Sequence, residues 1–301
     1  MSFVVTGATG HLGGLVVDGL LKAGKPVAAV VRDKDKAARL AERGVEVRVA
    51  DYDEPEALRE AFRAGDRVLF VSGSEPGRRE PQHRNVVEAA RDAGVALLAY
   101  TSVLGGPEAD FVLAADHKAT EQAILDAGVP YTFLRNGFYH EVYTETIPQA
   151  LERGAVTASA DDGRIATASR ADYAAAAVAV LTGEGHEGRA YELCGDTAWS
   201  FAEFAAELSK QSGRAVEYRP PDHRGTPGPP AGRRAARAGG GLGGRHRPGD
   251  RARPAHPYLR RPAAAHRSAP DPTRRGHHER AQALTRALDV PKLRPLGQLD
   301  G

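Results

Sequence analysis

Three glycines close to the N-terminus, Gly7, Gly10 and Gly13, stand three residues apart. The apolar residues before them predict a buried strand, and the run from about residue 12 predicts a helix. A strand, a glycine turn and a helix in this order direct backbone N–H groups and a helix N-terminus at one point, where a pyrophosphate binds. A plain turn is the alternative, since a glycine triplet alone is a weak signal. We expect a dinucleotide site formed by Gly7, Ala8, Thr9, Gly10, His11, Leu12 and Gly13.

The next predicted strand, 26–31, ends at a basic residue, Arg32. An acid at this position would accept hydrogen bonds from the ribose hydroxyls and favour NAD. A guanidinium group instead suits the 2′-phosphate of NADP. Asp33 follows directly and leaves some ambiguity, and a solvated basic turn is the other alternative. The sequence therefore predicts NADPH as the cofactor.

From residue 1 to about 135, predicted strands alternate with predicted helices, which is typical of an α/β fold with a doubly wound parallel sheet. The predicted strands are 2–6, 26–31, 45–49, 67–72, 96–101 and 130–135. The predicted helices lie near 12–23, 34–43, 54–64, 80–93 and 114–127. Ligands of such sheets bind beyond the carboxyl ends of the strands. We expect cofactor contacts from the residues there: Asp51, Tyr52, Ser72, Gly73, Ser74, Tyr100, Thr101, Asn136, Gly137 and Phe138.

After residue 140 the alternation loosens. The pattern predicts short β structure over 155–168, a helix over 172–181 and strands over 189–194 and 215–218. Ser200 and Glu203 form a predicted capping box at the start of one more helix, which runs to about Gln211. We interpret 1–137 as a cofactor-binding domain and 138–219 as a small α+β substrate lobe interleaved with it.

Composition changes abruptly near residue 220. Residues 220–280 carry 14 Arg, no Lys and four acidic residues, a net charge of +10, whereas the rest of the chain carries −8. The segment has 11 Pro, 10 Gly and few large apolar residues, so we predict that 220–301 is poorly ordered. A shifted reading frame would explain it, and resequencing the gene tests that hypothesis. A basic tail for nucleic acid is the alternative, disfavoured because residues 220–280 contain no lysine and Tyr258 is their only aromatic residue.

Other features limit the classes of protein. Cys194 is the only cysteine, which excludes an internal disulfide and a cysteine metal centre, and we expect no metal site. The sequence has no hydrophobic signal segment and no apolar run as long as a membrane span. We expect a cytoplasmic protein without a membrane span, for which a homodimer is one possible state.

Long segments of residues 2–219 resemble the NmrA-like atypical short-chain dehydrogenases. They include VTGATGHLG, PQHRNVVEAARDAGV, LAADHKATE, PYTFLRNGFY and GHEGRAYELCGD. The resemblance implies a Rossmann-type fold, NADPH as cofactor and a quinone as hydride acceptor. It stops at about residue 219, where the family continues with helices that finish the substrate lobe.

The resemblance also implies roles along the cofactor. The glycine turn would hold the pyrophosphate, Arg32 the 2′-phosphate, Asp51 and Tyr52 the adenine, and 72–74 the ribose. Residues 100–102 and 136–139 would line the nicotinamide end. His117, Thr120 and Glu121 match the family's H-x-x-T-E pattern, to which the sequence assigns no role.

The catalytic Tyr-x-x-x-Lys pair of typical short-chain dehydrogenases is absent, since Ala114 stands four residues before Lys118. Ser102 occupies the usual place of the catalytic serine, where we expect it to orient the substrate. Reduction of a quinone gives a weakly basic hydroquinone anion that solvent can protonate, so a positioned acid is less necessary. Tyr139 and His140 are candidate proton donors or stacking partners, although they could simply begin an amphipathic helix.

Two other functions stay open at this point. One is a non-catalytic NADP-binding redox sensor of the NmrA type. The other is a reductase of another flat conjugated acceptor, such as an azo or triphenylmethane dye. Turnover of NADPH with a simple quinone separates the enzyme from the sensor.

Overall fold

A computed structural model of the protein describes residues 1–75 and 77–221. The strands, numbered along the chain, are β1 Phe3–Thr6, β2 Val27–Val31, β3 Glu46–Val49, β4 Arg67–Phe70, β5 Leu97–Val103, β6 Tyr131–Asn136, β7 Ala155–Thr157, β8 Arg164–Ala166, β9 Arg189–Leu193, β10 Ala198–Ser200 and β11 Glu217–Arg219. Seven of them form one parallel sheet in the order β3-β2-β1-β4-β5-β6-β9. The predicted Rossmann-type sheet is confirmed.

The helices cover the sheet and build the lobe. They are α1 His11–Lys22, α2 Ala38–Ala41, α3 Pro55–Ala61, α4 Arg79–Ala93, α5 Ala114–Ala127, α6 His140–Thr144, α7 Ile147–Arg153, α8 Arg170–Thr182 and α9 Phe201–Ser212. Single 3₁₀ turns occupy Asp35–Ala37 and Gly106–Glu108.

The strand order reverses at β1, which pairs with β2 on one side and with β4 on the other. Phe3 lies opposite Val27 of β2 and opposite Arg67 of β4. The connections leaving the carboxyl ends of β1 and β4 run to opposite sides, which opens a crevice at that edge of the sheet. In such sheets a ligand lies in this crevice.

Both faces of the sheet are buried at its centre, which explains why β1, β2 and most of β5 are apolar runs, whereas the edge strands β3 and β9 carry charged residues. On one face, Val5 of β1 packs with Leu20 of α1 and Val180 of α8. The other face carries α3, α4 and α5, whose buried residues include Leu58, Val86 and Ile124. Each strand end is therefore held from two sides.

The predicted lobe of 138–219 was expected to be interleaved with the cofactor-binding domain, and two of its segments lie with the large sheet. Strand β9 pairs in parallel with β6, and α8 packs against α1. The apolar side of α8, with Tyr173 and Leu181, needs this burial. Pairing between distant segments leaves no local signal in the sequence.

The remaining segments form the lobe. Strand β10 pairs with β8 in the antiparallel sense and β11 pairs with β7 in parallel. A separate core contains Val156, Phe201, Leu208 and Val216. The predicted capping box is present, with the Glu203 amide donating to the Ser200 hydroxyl at 3.2 Å.

The predictions about the basic segment, apart from its first two residues, fall outside the described residues. Across 1–75 and 77–221, no helix combines the length and apolar character needed to cross a membrane.

Candidate functional site

The glycine turn has the geometry of an anion site. Gly7 has φ +58°, a conformation that glycine adopts without strain, and its carbonyl accepts a hydrogen bond from the Gly10 amide at 2.9 Å. A Cβ on Gly13 would lie 2.3 Å from the Gly7 carbonyl oxygen. The N-terminus of α1 therefore approaches the end of β1 closely, with its first amides directed at the crevice.

The rest of the turn divides into core and surface. Ala8 and Leu12 are buried against the sheet. Thr9 and His11 are exposed at the crevice. Those two are the side chains of the turn that are free to contact a ligand.

Arg32 follows β2 at the same edge of the sheet. Its side chain is 66% exposed and pairs with Glu75 at 3.3 Å and Asp51 at 4.0 Å. The Asp33 carboxylate accepts a hydrogen bond from the amide of Asp35, the first residue of the following 3₁₀ turn, at 3.0 Å. The Asp33 carboxylate, which made NAD an alternative cofactor, is thus bound to the backbone of its own loop. This contact favours Arg32 as the residue that faces the adenosine ribose.

Tyr52 ties the ends of β1 and β4 together. Its hydroxyl contacts the Thr6 hydroxyl and donates to the Val71 carbonyl at 2.8 Å. The Thr6 hydroxyl in turn accepts from the Val71 amide at 3.0 Å, and burial raises the pKa of Tyr52. The place of Tyr52 beside adenine stays a prediction for its ring, because its hydroxyl is turned into the sheet.

The segment after β4 is fixed through its backbone. The Ser72 amide donates to the Thr101 hydroxyl at 2.9 Å. The Gly73 amide donates to Nε2 of His83 at 2.9 Å, and the Gly73 carbonyl accepts from Nε of Arg79 at 2.6 Å. Ser72 is half-buried and Ser74 is exposed, so this segment borders the crevice. Its backbone is held in place by the side chains of Thr101, His83 and Arg79.

Tyr100 does not line the nicotinamide end, and that prediction is wrong for its side chain. It is fully buried, and its hydroxyl is hydrogen-bonded to Nδ1 of His117 at 2.8 Å. The ring packs between Phe70 and His83, with centroids 5.0 and 5.8 Å away, and burial raises its pKa. Tyr100 therefore faces α4 and α5, below the edge that binds ligand.

Ser102 belongs to a buried charged network. Its hydroxyl donates to Glu121 at 2.6 Å, and Glu121 receives two hydrogen bonds from Arg135, at 3.0 and 2.8 Å. Arg135 also donates to Glu192 at 2.9 Å, and Glu192 accepts from the Gly105 amide at 2.8 Å. These partners raise the pKa of Arg135 despite its burial. The network joins β5, α5, β6 and β9 at the predicted nicotinamide end.

The H-x-x-T-E pattern of α5 is explained by these contacts. His117 binds Tyr100, Thr120 binds His83 at 2.8 Å, and Glu121 binds Ser102. All three pattern residues are buried, and they connect α5 to β5 and to α4. Arg79, His83 and Arg135 are residues that the sequence reasoning missed, since their partners are distant in the chain.

Asn136 and Tyr139 lie together where β6 ends. Asn136 is 7% exposed, and its Oδ1 has no hydrogen-bond partner among the described residues. Burial raises the pKa of Tyr139, while the neighbouring Asn136 side chain lowers it. Arg170 lies 5.2 Å from the centroid of the Tyr139 ring. A protonated phenol and an unsatisfied amide oxygen are thus available at this point.

The backbone of Gly137 and Phe138 is held by the neighbouring segments. The Gly137 amide donates to Leu193 at 2.8 Å, and the Phe138 carbonyl accepts from Ala168 at 3.1 Å. These bonds connect the end of β6 to β9 and to the lobe.

An aromatic cavity of about 370 Å³ lies in the lobe between α6 and α9. It is lined by His140, Tyr143, Thr144, Trp199, Glu203, Phe204 and Glu207. The Thr167 hydroxyl contacts Nδ1 of His140 at 2.6 Å and accepts from the Trp199 indole at 2.9 Å. Burial raises the pKa of Tyr143 to about 12. His140 therefore belongs to the lobe, whereas the Tyr139 ring packs on Tyr173 of α8.

No Tyr-x-x-x-Lys pair occurs on α5, because Ala114 is its buried first residue. The described part of the chain also holds no cluster of three or more metal-ligating side chains.

The sheet order, the glycine turn and the basic residue after β2 define a dinucleotide-binding α/β protein. Residues 7–184 match the NAD(P)H-binding family, and the chain belongs to that family.

Three relatives are informative. Quinone oxidoreductase 2 of Escherichia coli (strain K12) is 49% identical over 216 residues, covering 71% of this chain and 76% of that protein. Its structure with NADPH has a TM-score of 0.71 at 48% identity, covering 72% and 78% of the two chains. The triphenylmethane reductase of Citrobacter sp., in complex with NADP(H), has a TM-score of 0.70 at 43% identity, covering 73% and 79%.

An NmrA-like family domain-containing oxidoreductase of Aspergillus flavus is 32% identical over 235 residues, covering 73% of this chain and 74% of that protein. The resemblance to the NmrA-like dehydrogenases is confirmed.

Proposed function

We propose that this protein is an NADPH-dependent oxidoreductase that reduces quinones by two-electron hydride transfer, without a Tyr-x-x-x-Lys pair. One observation carries the proposal: the crevice has a dinucleotide cradle with Arg32 at its adenosine end, while α5 begins with Ala114 instead of tyrosine. The E. coli relative, a quinone oxidoreductase whose structure contains NADPH, supports it.

The residues present fit the cofactor. No side chain fits at Gly13, where a Cβ would meet the Gly7 carbonyl, and this close approach leaves room for the pyrophosphate at the N-terminus of α1. Arg32 would bind the 2′-phosphate by exchanging its pairing with Glu75 for a stronger one. The 72–74 segment would border the ribose, and Asn136 Oδ1, which has no hydrogen-bond partner among the described residues, would lie at the nicotinamide end.

Bound NADPH would supply the hydride, and the chain would orient the acceptor beside it. Ser102 is a poor proton donor to substrate, because its hydroxyl already donates to Glu121. Tyr139 is the other candidate, since its phenol lies beside Asn136 and, like any tyrosine, is protonated at neutral pH, although its raised pKa makes it a weaker acid. The hydroquinone anion needs one proton to complete the reaction, and either Tyr139 or solvent would deliver it.

A second candidate acceptor is another flat conjugated molecule, such as a triphenylmethane dye. The aromatic walls of the lobe cavity, Tyr143, Trp199 and Phe204, favour flat rings without distinguishing among them. The Citrobacter relative is a triphenylmethane reductase.

The test is steady-state oxidation of NADPH by the purified full chain with 1,4-benzoquinone, run in parallel with a triphenylmethane dye. We expect quinone turnover, with one hydroquinone formed for each NADPH consumed. Tight binding of NADPH without turnover of either acceptor would contradict the proposal and support a redox sensor. Turnover of the dye alone would establish the second candidate.

A further inference from the structure

We propose that His83 and Thr120 are positioning residues that hold the 72–74 segment in the conformation required to bind the cofactor. The proposal rests on the NADPH-dependent function proposed above. Neither residue faces the crevice, since His83 is 1% and Thr120 2% exposed. Their effect would pass through the backbone of Gly73.

A chain of three hydrogen bonds runs from Gly73 into the helix layer. The Gly73 amide donates to Nε2 of His83 at 2.9 Å. Nδ1 of His83 lies 2.8 Å from the Thr120 hydroxyl, which donates to the Asp116 carbonyl at 2.8 Å. Because Nε2 accepts and the Thr120 proton is already used, the imidazole proton must be on Nδ1.

The same segment is held at a second point. Arg79 Nε donates to the Gly73 carbonyl at 2.6 Å, so both polar backbone atoms of Gly73 bind α4. A Cβ on Gly73 would lie 3.3 Å from Oε1 of Gln82 and 3.4 Å from Nε2 of His83. The 72–74 segment therefore packs directly on α4, and the position of the His83 ring determines how far the Gly73 backbone lies from that helix.

Thr120 acts by fixing which nitrogen of His83 carries the proton. Burial, with nearby His117 and Arg79, lowers the pKa of His83 to about 3, so the ring is neutral at physiological pH. Without the Thr120 oxygen, Nδ1–H has no acceptor, and the alternative tautomer places an N–H against the Gly73 amide. That clash would move the 72–74 segment and weaken cofactor binding without touching the reacting atoms.

Thr120→Val tests the proposal, because it removes the acceptor and preserves the shape of the side chain. We expect the Kd of NADPH and that of NADH, measured without an acceptor, each to rise about tenfold. The ratio of the two Kd values should stay constant, since the 72–74 segment would border the same ribose in NADPH and in NADH. The kcat at saturating NADPH should not change, and Thr120→Ser should restore the parent Kd. If the valine variant does not fold, the same measurements are made on Thr120→Ala.

Thr132→Val is the matched control. Thr132 is also fully buried, and its hydroxyl donates to the His186 carbonyl at 2.7 Å, at the amino end of β6. It should lower the unfolding temperature and leave both Kd values unchanged. Equal Kd values in Thr120→Val and the parent, or failure of Thr120→Ser to restore binding, overturns this proposal alone. A parent chain that binds neither cofactor overturns the proposed function with it.

Discussion

Arg32 is the residue that would separate the two nicotinamide cofactors. We expect Arg32→Ala to raise the Kd of NADPH by about 10- to 100-fold, the range for a lost charge-assisted hydrogen bond, and to change the Kd of NADH less than about threefold. The variant leaves Asp51 without its cation, whereas Glu75 keeps its pairing with Arg78 at 3.1 Å, so the Asp51 carboxylate would also repel a 2′-phosphate. Equilibrium titration with both cofactors measures the difference.

Arg39→Ala is the matched control, since it removes the same charge from an exposed position on the nearby helix α2. It should leave both affinities nearly unchanged. An equal loss for NADPH and NADH in Arg32→Ala would refute the role in binding the 2′-phosphate.

A substitution of Ser102 tests whether this residue has a structural or a catalytic role at the predicted nicotinamide end. We expect Ser102→Ala to keep kcat with benzoquinone within about twofold, because the hydroxyl is bound to Glu121. The same change should lower the free energy of unfolding by about 1–3 kcal/mol, since a buried carboxylate loses a donor. Turnover and urea denaturation of one preparation test both parts. Near-complete loss of turnover in a stable variant would identify the serine as a proton donor.

Among the elements, the junction of β1 and α1 carries the sharpest steric requirement. Gly13→Ala should destabilise the fold and abolish measurable cofactor binding, because its Cβ would lie 2.3 Å from backbone that cannot move freely. Gly14→Ala is its control on the same helix, where the nearest atom would be 3.6 Å away. That variant should bind normally and be up to about 1 kcal/mol more stable, through the higher helix propensity of alanine. Comparable behaviour of the two variants in binding and thermal unfolding would contradict the close approach.

Which elements the sequence could predict depends on how local their causes are. The six strands predicted up to residue 135 are mostly apolar runs bounded by turns, and all are present with small shifts in their ends. Helix α3 is shorter than the predicted 54–64, because Phe62 takes extended backbone and buries its ring. The predicted helix near 34–43 is reduced to a 3₁₀ turn and four residues of α2. The place of β9 in the main sheet was beyond prediction, because its partner β6 is distant in sequence.

The candidate site follows the same distinction. The glycine turn and Arg32 are found at the predicted strand ends because local spacing places them there. Tyr100 was misplaced, since a strand buried on both faces gives no alternation to show which face a side chain takes. The partners of Thr120 and Glu121 were also inaccessible, because hydrogen bonds between separate helices and strands leave no periodic pattern.

For the whole molecule, buried histidines predict sensitivity to mild acid: burial lowers the pKa of His83, His117 and His186, and the shifts of the first two are the largest. Burial lowers the pKa of His83 to about 3 and that of His117 to about 4. The unfolded chain binds both protons below about pH 6.5, whereas the native protein does not. Stability is therefore retained above about pH 6.5 and falls as the pH decreases, by at most about 1.4 kcal/mol per pH unit for each histidine.

Urea denaturation between about pH 7 and pH 5 measures this slope above the range where most carboxylates titrate. His117→Phe removes one titrating group and should make the slope shallower. A free energy of unfolding that does not change over this interval would contradict the buried neutral state of both rings.

Trp199 is the only tryptophan of the chain, and it lines the lobe cavity with its indole bonded to Thr167. The intrinsic indole fluorescence of the whole protein therefore comes from one position. That position lies in the lobe, and the cofactor-binding domain contributes no indole emission. A quinone that entered the cavity would quench this emission by contact. Reduced nicotinamide absorbs light where indole emits, so a cofactor bound in the crevice would diminish it by energy transfer. One natural fluorophore would thus report the arrival of the electron acceptor or of the electron donor when each is added alone.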